Sequence, residues 1–249
     1  MRPKTQEEIA NMRIAGGMLA RVLEVLKNSI KPGMTTQELD DIARNELQKL
    51  GGNAPFLGYQ GFPATLCVSV NEEVVHGIPG SRIIQDGDIV GMDYGVEYRG
   101  MITDSAITVG VGQVSPEAQQ LMDITKKSMM AGIKAVKAGA HVGDISAAVE
   151  AVLKPAGYGI VEDLAGHGVG DSLHEEPWIP NFGKAGKGPV LEAGMTICIE
   201  PMATLGGKKV RIAKDGWTVY TKDMSLAAHF EHTILVTEKG HEILTELHK

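Results

Sequence analysis

Apolar residues recur at helical spacing in four stretches of the chain, and each stretch carries its own start signal. Ile9, Met12, Leu19, Val22, Leu23 and Leu26 share one face of a helix that Thr5 and Glu8 open as a capping box. Thr35 and Glu38 form a second capping box ahead of Leu39, Ile42, Leu47 and Leu50, and Gly51-Gly52 is the stop. Ser115-Pro116 predicts a third helix as N-cap and first-turn proline, with Leu121, Ile124, Ile133 and Val136 along it. A fourth is expected from Asp144 to about Lys154. Between them, β-branched and apolar runs predict strands at Thr65–Val70, Asp88–Tyr94, Ile102–Val109, Met195–Glu200 and His229–Val236.

These elements repeat. Lys31-Pro32-Gly33 and its helix through Leu39 and Leu47 to Gly51 match Lys137-Ala138-Gly139 with Ile145, Leu153 and Gly157 at one fixed offset. Gly87-Asp88-Ile89-Val90 ending in Asp93 is echoed by Gly194-Met195-Thr196-Ile197 ending in Glu200, and Asp104-Ser105-Ala106-Ile107 by Glu231-His232-Thr233-Ile234. The pattern predicts two diverged halves, about 1–112 and 113–249, within a single domain spanning 1–249, since no low-complexity linker divides them.

Composition narrows the function classes. The net charge of −7 offers no basic stripe for phosphates, so nucleic acid is not an expected partner. No apolar run reaches the roughly 18 residues of a membrane span, and the first residues lack the apolar core of a signal peptide. The two cysteines, Cys67 and Cys198, lie far apart outside any C-x-x-C, which fits a reducing, cytoplasmic address. No G-x-S-x-G, phosphate-binding loop or H-E-x-x-H occurs.

The chemistry is carried by carboxylates set in apolar runs. A hairpin centred between Tyr98 and Arg99 places Asp93 directly opposite Asp104, with Cβ atoms roughly 4.5–5.5 Å apart. Like charges so placed need a cation or proton between them, and an unpaired charge among Ile89, Val90, Met92, Ile102 and Ile107 would cost several kcal/mol, to order of magnitude. Glu200 and Glu231 occupy the matching places in the second half, so four carboxylates converge, and two divalent ions balance a charge of about −4. The run Gly166-His167-Gly168-Val169-Gly170-Asp171-Ser172-Leu173-His174-Glu175-Glu176-Pro177 adds a histidine whose flanking glycines are expected to let the backbone approach whatever its imidazole touches. A dinucleotide-binding loop is the rival reading, but the glycine spacing is wrong and no capped helix follows. His174 is expected to face substrate. His141, His241 and His248 lie in polar or helical contexts and read as solvated.

The order Asp93, Asp104, His167, Glu200, Glu231 resembles the "pita-bread" metallopeptidases, a superfamily that includes the methionine aminopeptidases, aminopeptidase P and prolidase. The resemblance covers essentially the whole chain. Val68–Pro79, Ile199-Glu200-Pro201-Met202, Phe230–Thr237 and Asp215-Gly216-Trp217-Thr218 are similar to methionine aminopeptidases, and the short stretch between His174 and Glu200 resembles type I, bacterial short-form members. The resemblance implies an α+β, pseudo-two-fold fold: two αβ halves with a central antiparallel sheet covered by helices. It implies two divalent metal ions per chain, with manganese, iron(II), cobalt and zinc all admissible in an oxygen-rich site. Asp104 and Glu231 would bridge them, Asp93 would complete one site, and His167 with Glu200 the other.

The implied activity is removal of the N-terminal methionine from nascent chains near the ribosome, with a small second residue favoured. A metal-activated water would be the nucleophile, Glu200 would shuttle its proton, His174 would stabilise the carbonyl oxygen and His76 would contact the scissile amide. Tyr59, Phe62, Cys67 and Trp217, with His76 and His174, would bind substrate, and the enzyme is expected to act as a monomer. Three residues depart from the family pattern: Leu173 where an aromatic residue is frequent, Cys198 where threonine is common and His229 where glutamine is common. The competing readings are an Xaa-Pro dipeptidase or aminopeptidase and an inactive peptide-binding relative.

Overall fold

Each expected helix forms, and the first three start at the caps their patterns name. In a computed structural model describing residues 1–247, the helices are α1 (Gln6–Ser29), α2 (Thr36–Leu50), α3 (Pro116–Lys134) and α4 (Val142–Leu153). His248 lies outside the described residues. The Glu8 and Glu38 carboxylates each accept the N–H of their cap threonine at 2.7 Å, closing both capping boxes, and Gly51 ends α2 at φ +80°. One boundary differs from expectation. Asp144 is the third residue of α4 rather than its first. Its carboxylate accepts the N–H of His141 at 2.8 Å, so His141, expected to be solvated, is the half-buried N-cap with its ring Nδ1 2.9 Å from the Gly188 carbonyl.

The strands pair antiparallel throughout. Leu66–Val70, Ile89–Tyr98 and Met101–Gly110 form one sheet in that order. A five-stranded sheet runs Gly240–Ile243, His232–Thr237, Thr196–Ile199, Gly166–Gly168, Glu175–Ile179. Two small sheets join Val210–Ile212, Val219–Thr221 and Glu73–Val75, and Ala227–His229, Met202–Thr204 and Gly159–Ile160. Segments of two to five residues carry too little period to be read as strands, which is why most of these short elements went unpredicted.

Period-2 alternation sends one face of each main sheet to helices. Leu66, Val68, Val90, Met92 and Tyr94 pack with residues of α1 and α2 such as Leu19, Leu26, Leu39 and Leu47. Ile197, Ile199, Ile234 and Val236 pack with Leu121, Ile133, Ile145 and Val149 of α3 and α4. The alternate positions, Cys67 and Asp93 in one half and Cys198 followed by Glu200 in the other, therefore face away from the helices. The halves also share backbone hydrogen bonds. Gly33 donates to Ile84 at 2.8 Å and Gly139 to Leu191 at 2.9 Å; Gly87 donates to Val111 at 2.8 Å and Gly194 to Val236 at 2.9 Å.

Two expectations are corrected. The hairpin turns on Arg99 and Gly100, at φ +50° and +80°, the positive pair that a two-residue turn matched to strand twist requires. Asp93 consequently pairs with Ala106, and Asp104 with Gly95. The shift of two positions leaves both aspartates on one face, as diagonal rather than direct neighbours. The expected strand His229–Val236 is also split: Ala227–His229 and His232–Thr237 belong to different sheets, with Phe230 and Glu231 between them.

Candidate active site

A seam between the two main sheets brings the halves' carboxylates together. Glu231 N–H donates to the Ala106 carbonyl at 2.9 Å, and side-chain hydroxyls stitch the rest. Ser105 Oγ donates to the Glu231 carbonyl at 2.6 Å, Thr108 Oγ1 to that of His229 at 2.7 Å and Thr233 Oγ1 to that of Asp104 at 2.7 Å. The seam thus fixes Asp104 and Glu231 by their backbones, leaving their carboxylates with one another. Asp93, Asp104 and Glu231 each offer an oxygen within 4.8 Å of the others, and Glu231 also lies within 4.8 Å of ligand atoms of His167 and Cys198. His167 Nε2 is 3.4 Å from Glu200 Oε1. The five residues singled out in the sequence therefore converge.

Electrostatics make this cluster untenable as bare carboxylates. Burial, reinforced by Glu231, Asp93 and Glu200, pushes Asp104 well above the usual range. Burial and then Asp93 does the same to Glu200, and burial, Glu200 and Asp93 to Glu231. Burial raises Asp93 too, against the opposing pull of His229. Asp93 Oδ1, Asp104 Oδ1 and Glu231 Oε1 are buried without a hydrogen-bond partner, which violates the rule that buried polar atoms are satisfied. Converging orphan oxygens beside a buried imidazole fit divalent cations, which take oxygen and nitrogen donors and cancel the repulsion. Burial chiefly lowers His167 to about 3, which keeps it neutral and able to coordinate.

The centre forms the floor of a cavity of about 740 Å³. Tyr59, Phe62, Cys67 and Trp217 line it, as do His76, His174 and Leu173. Phe62 and Trp217 meet edge to face with ring centres 5.1 Å apart, and Asp215 holds the Trp217 end by accepting the N–H of Trp217 at 2.8 Å and of Thr218 at 2.9 Å. Cys67 is the cross-strand partner of Asp93, so the apolar slot starts one residue pair from the acidic floor. His174 Nδ1 lies 2.8 Å from the Tyr59 hydroxyl, and its ring centre 4.3 Å from that of His167. The loop carrying His174 is braced by the buried Lys4, whose Nζ reaches Asp171 at 2.6 Å and Glu175 at 3.3 Å. His76 takes φ +59°, a rare backbone state for a side-chain-bearing residue of the kind concentrated at functional sites; burial lowers it to about 4.

The glycines around His167 have a different reason from the one expected. A Cβ on Gly166 would meet the Cys198 carbonyl oxygen at 2.3 Å, and one on Gly168 the Glu176 carbonyl oxygen at 2.6 Å. They admit neighbouring strands, not a ligand. Further lining residues, Phe56, Asp163, Leu164 and Trp178 among them, were not singled out in the sequence. Two of the residues that depart from the family pattern, Cys198 and His229, lie against the cluster: Cys198 Sγ is within 4.8 Å of ligand atoms of His167 and Glu231, and His229 Nε2 is 3.6 Å from Glu200 Oε2.

The comparisons with known proteins agree with this geometry. Residues 10–238 match Metallopeptidase family M24. Methionine aminopeptidase 1 of Bacillus subtilis is 45% identical over 244 residues, covering 98% of each chain. The crystal structure of methionine aminopeptidase from Thermotoga maritima superposes with a TM-score of 0.97 at 42% identity, covering 99% of both chains. Prolidase from Pyrococcus furiosus shares the fold with a TM-score of 0.80 at 23% identity, covering 99% of this chain but 66% of that one.

Proposed function

This chain belongs to the methionine aminopeptidases of metallopeptidase family M24, and on that premise we propose that it removes the N-terminal methionine of nascent polypeptides, favouring a small second residue. The observation that carries the reading is the juxtaposition of Cys67 and Asp93: an apolar, sulfur- and aromatic-lined slot opens directly on the buried carboxylates. An unbranched thioether fits such a slot and gains sulfur–aromatic contacts, while a charged first residue would be desolvated there without a partner.

Asp93, Asp104 and Glu231 would hold one divalent ion, and His167, Glu200 and Glu231 a second, with Asp104 also reaching across. Two such ions, when bound, supply Lewis acidity toward a water and the scissile carbonyl at neutral pH. The protein's own groups do the rest. Glu200 takes a proton at its carboxylate and returns it to the leaving amine. In the tautomer whose Nδ1 accepts from the Tyr59 hydroxyl, His174 keeps its Nε2–H to meet the developing charge on the carbonyl oxygen. His76, on the wall beside Trp217, faces the scissile amide. The same reading takes residues 1–249 as one catalytic domain, working as a monomer on chains leaving the ribosome. No helix among the described residues is long and apolar enough to cross a membrane.

Metal-reconstituted hydrolysis of Met-Ala-Ser against Ala-Pro tests the proposal. Cleavage of the first, with norleucine tolerated at position one and leucine disfavoured by about 1–3 kcal/mol, is the expected result. Preference for Ala-Pro would identify an Xaa-Pro peptidase instead. Metal binding without cleavage of either peptide would identify an inactive relative.

A further inference from the structure

One buried group in the site has no role in the chemistry above. His229 is 4% exposed, and its backbone is clasped on both sides by Thr108: its N–H donates to Thr108 Oγ1 at 3.0 Å, and Thr108 Oγ1 donates to its carbonyl at 2.7 Å. Pairing with Met202 sets it against the chain that carries Glu200. Glu200 is fixed in turn, its carbonyl accepting Asn181 Nδ2 at 3.0 Å. Between these two clamped backbones, His229 Nε2 points at Glu200 Oε2 from 3.6 Å while lacking any hydrogen-bond partner. The other oxygen, Oε1, faces His167 Nε2 at 3.4 Å. The Glu200 carboxylate is therefore bracketed by two imidazoles, one on each oxygen.

From this bracketing we infer that His229 is a positioning residue: its Nε2–H donates to Glu200 Oε2 and turns Oε1 toward the cation shared with His167. The inference rests on the proposed metal role of Glu200. The physical need is general. A carboxylate held by a single side-chain torsion swings unless its second oxygen is tied, and partners of this kind typically change metal affinity by about 10–100-fold. His229 Nε2 faces the Glu200 carboxylate at Oε2, so it is placed to serve the glutamate. Its orphan state is also costly unless that bond forms.

Purified full-length chain with His229→Leu, His229→Gln and Glu200→Gln separates the possibilities. Chelator-competition titration with cobalt(II) should show wild type retaining its tightest site. His229→Leu should lose about 10–100-fold in affinity, and His229→Gln, whose amide can still donate, should recover to within a few fold. The visible absorption of the cobalt-loaded protein should shift in His229→Leu and return in His229→Gln, whereas a packing defect would be read as lost thermal stability of the metal-free chain. Equal cobalt affinity and spectrum in wild type and His229→Leu would overturn the inference. Paramagnetically shifted exchangeable imidazole N–H signals from two histidines would overturn it as well, making His229 a direct ligand. Wild type and Glu200→Gln test the parent reading: no cobalt site in wild type, or none lost on Glu200→Gln, sinks the metal role of Glu200 and the inference with it.

Discussion

The two carboxylate pairs occupy matching places in the two halves, yet they are built in different ways. Asp93 and Asp104 sit on ten-residue strands joined by the two-residue turn Arg99-Gly100, so one continuous ladder sets their separation. Glu200 follows a four-residue strand, and Glu231 falls in the break between two strands of different sheets. The aspartates are short and backbone-defined. The glutamates reach one methylene further from chain that has left its ladder, and they are flanked by side chains instead: His167 and His229 beside Glu200, and the Cys198 thiol within 4.8 Å of Glu231. The first half thus supplies hard oxygen donors, and the second an oxygen–nitrogen set with sulfur close by. The difference teaches that a repeated backbone scaffold can keep its charges while each half finds its own means of aiming them.

The largest expected effect breaks the comparison at its centre. Exhaustive chelation should abolish peptide hydrolysis, and a divalent ion should restore it. Asp104→Asn and Glu231→Gln, one from each half, should each lose metal content and activity together, measured by elemental analysis and Met-Ala-Ser turnover. If only one of the two loses metal, the bridging role does not span the halves.

A second change separates the cation site from the wall above it. His174→Ala should retain the metal content of the wild type while lowering kcat by about 10²–10³-fold, the scale of a lost oxyanion donor. Loss of metal in that variant would place His174 among the ligands.

The hairpin of the first half offers a stability probe that has no counterpart between Glu200 and Glu231. Gly100 has φ +80° and open space where a Cβ would go, so Gly100→Ala tests backbone conformation alone. It should cost about 1–2 kcal/mol, seen as a lowered Tm. No loss would mean that the turn readily takes another form, and that the register of Asp93 against Asp104 is held elsewhere.

The smallest effect lies at the edges of the halves. Glu8, hydrogen-bonded by Arg2 and then by the Thr5 N–H, is held down at about 2. Asp223 is also held at about 2, by the N–H of Gly207 and then by Ser225. Carboxylates lowered on folding lend stability that is full above their unfolded values near 4 and is lost as pH falls toward 2. Glu8→Gln and Asp223→Asn should each flatten that acid-side dependence slightly in urea titrations at graded pH. An unchanged slope would show that the bonds persist in the unfolded chain.

Much of this protein was decided locally. Capping threonines with glutamates three residues on, the Ser115-Pro116 start and Gly51 at the helix end are interactions within a single turn, so the sequence alone placed the four helices, missing the start of α4 by two residues. Carboxylates stranded in apolar runs, and their recurrence in the second half, marked the four acidic residues of the cluster, because unpaired charge in such surroundings is physically untenable without a counter-ion; the glycine-flanked run marked His167. Tertiary structure decided the rest. Which residues of Tyr98-Arg99-Gly100-Met101 take positive φ depends on strand twist, and that choice moved the aspartates from opposite to diagonal. Short strands form because a neighbour completes their hydrogen bonds, as Gly166 and Gly168 do by admitting the carbonyls of Cys198 and Glu176. The hydroxyl seam of Ser105, Thr108 and Thr233 joins backbones more than a hundred residues apart in sequence, and that seam, together with the pairing of His229 with Met202, sets His229 beside Glu200. Local signals fix where the chain turns and what it must bury; which buried group meets which is set by the packing of distant surfaces.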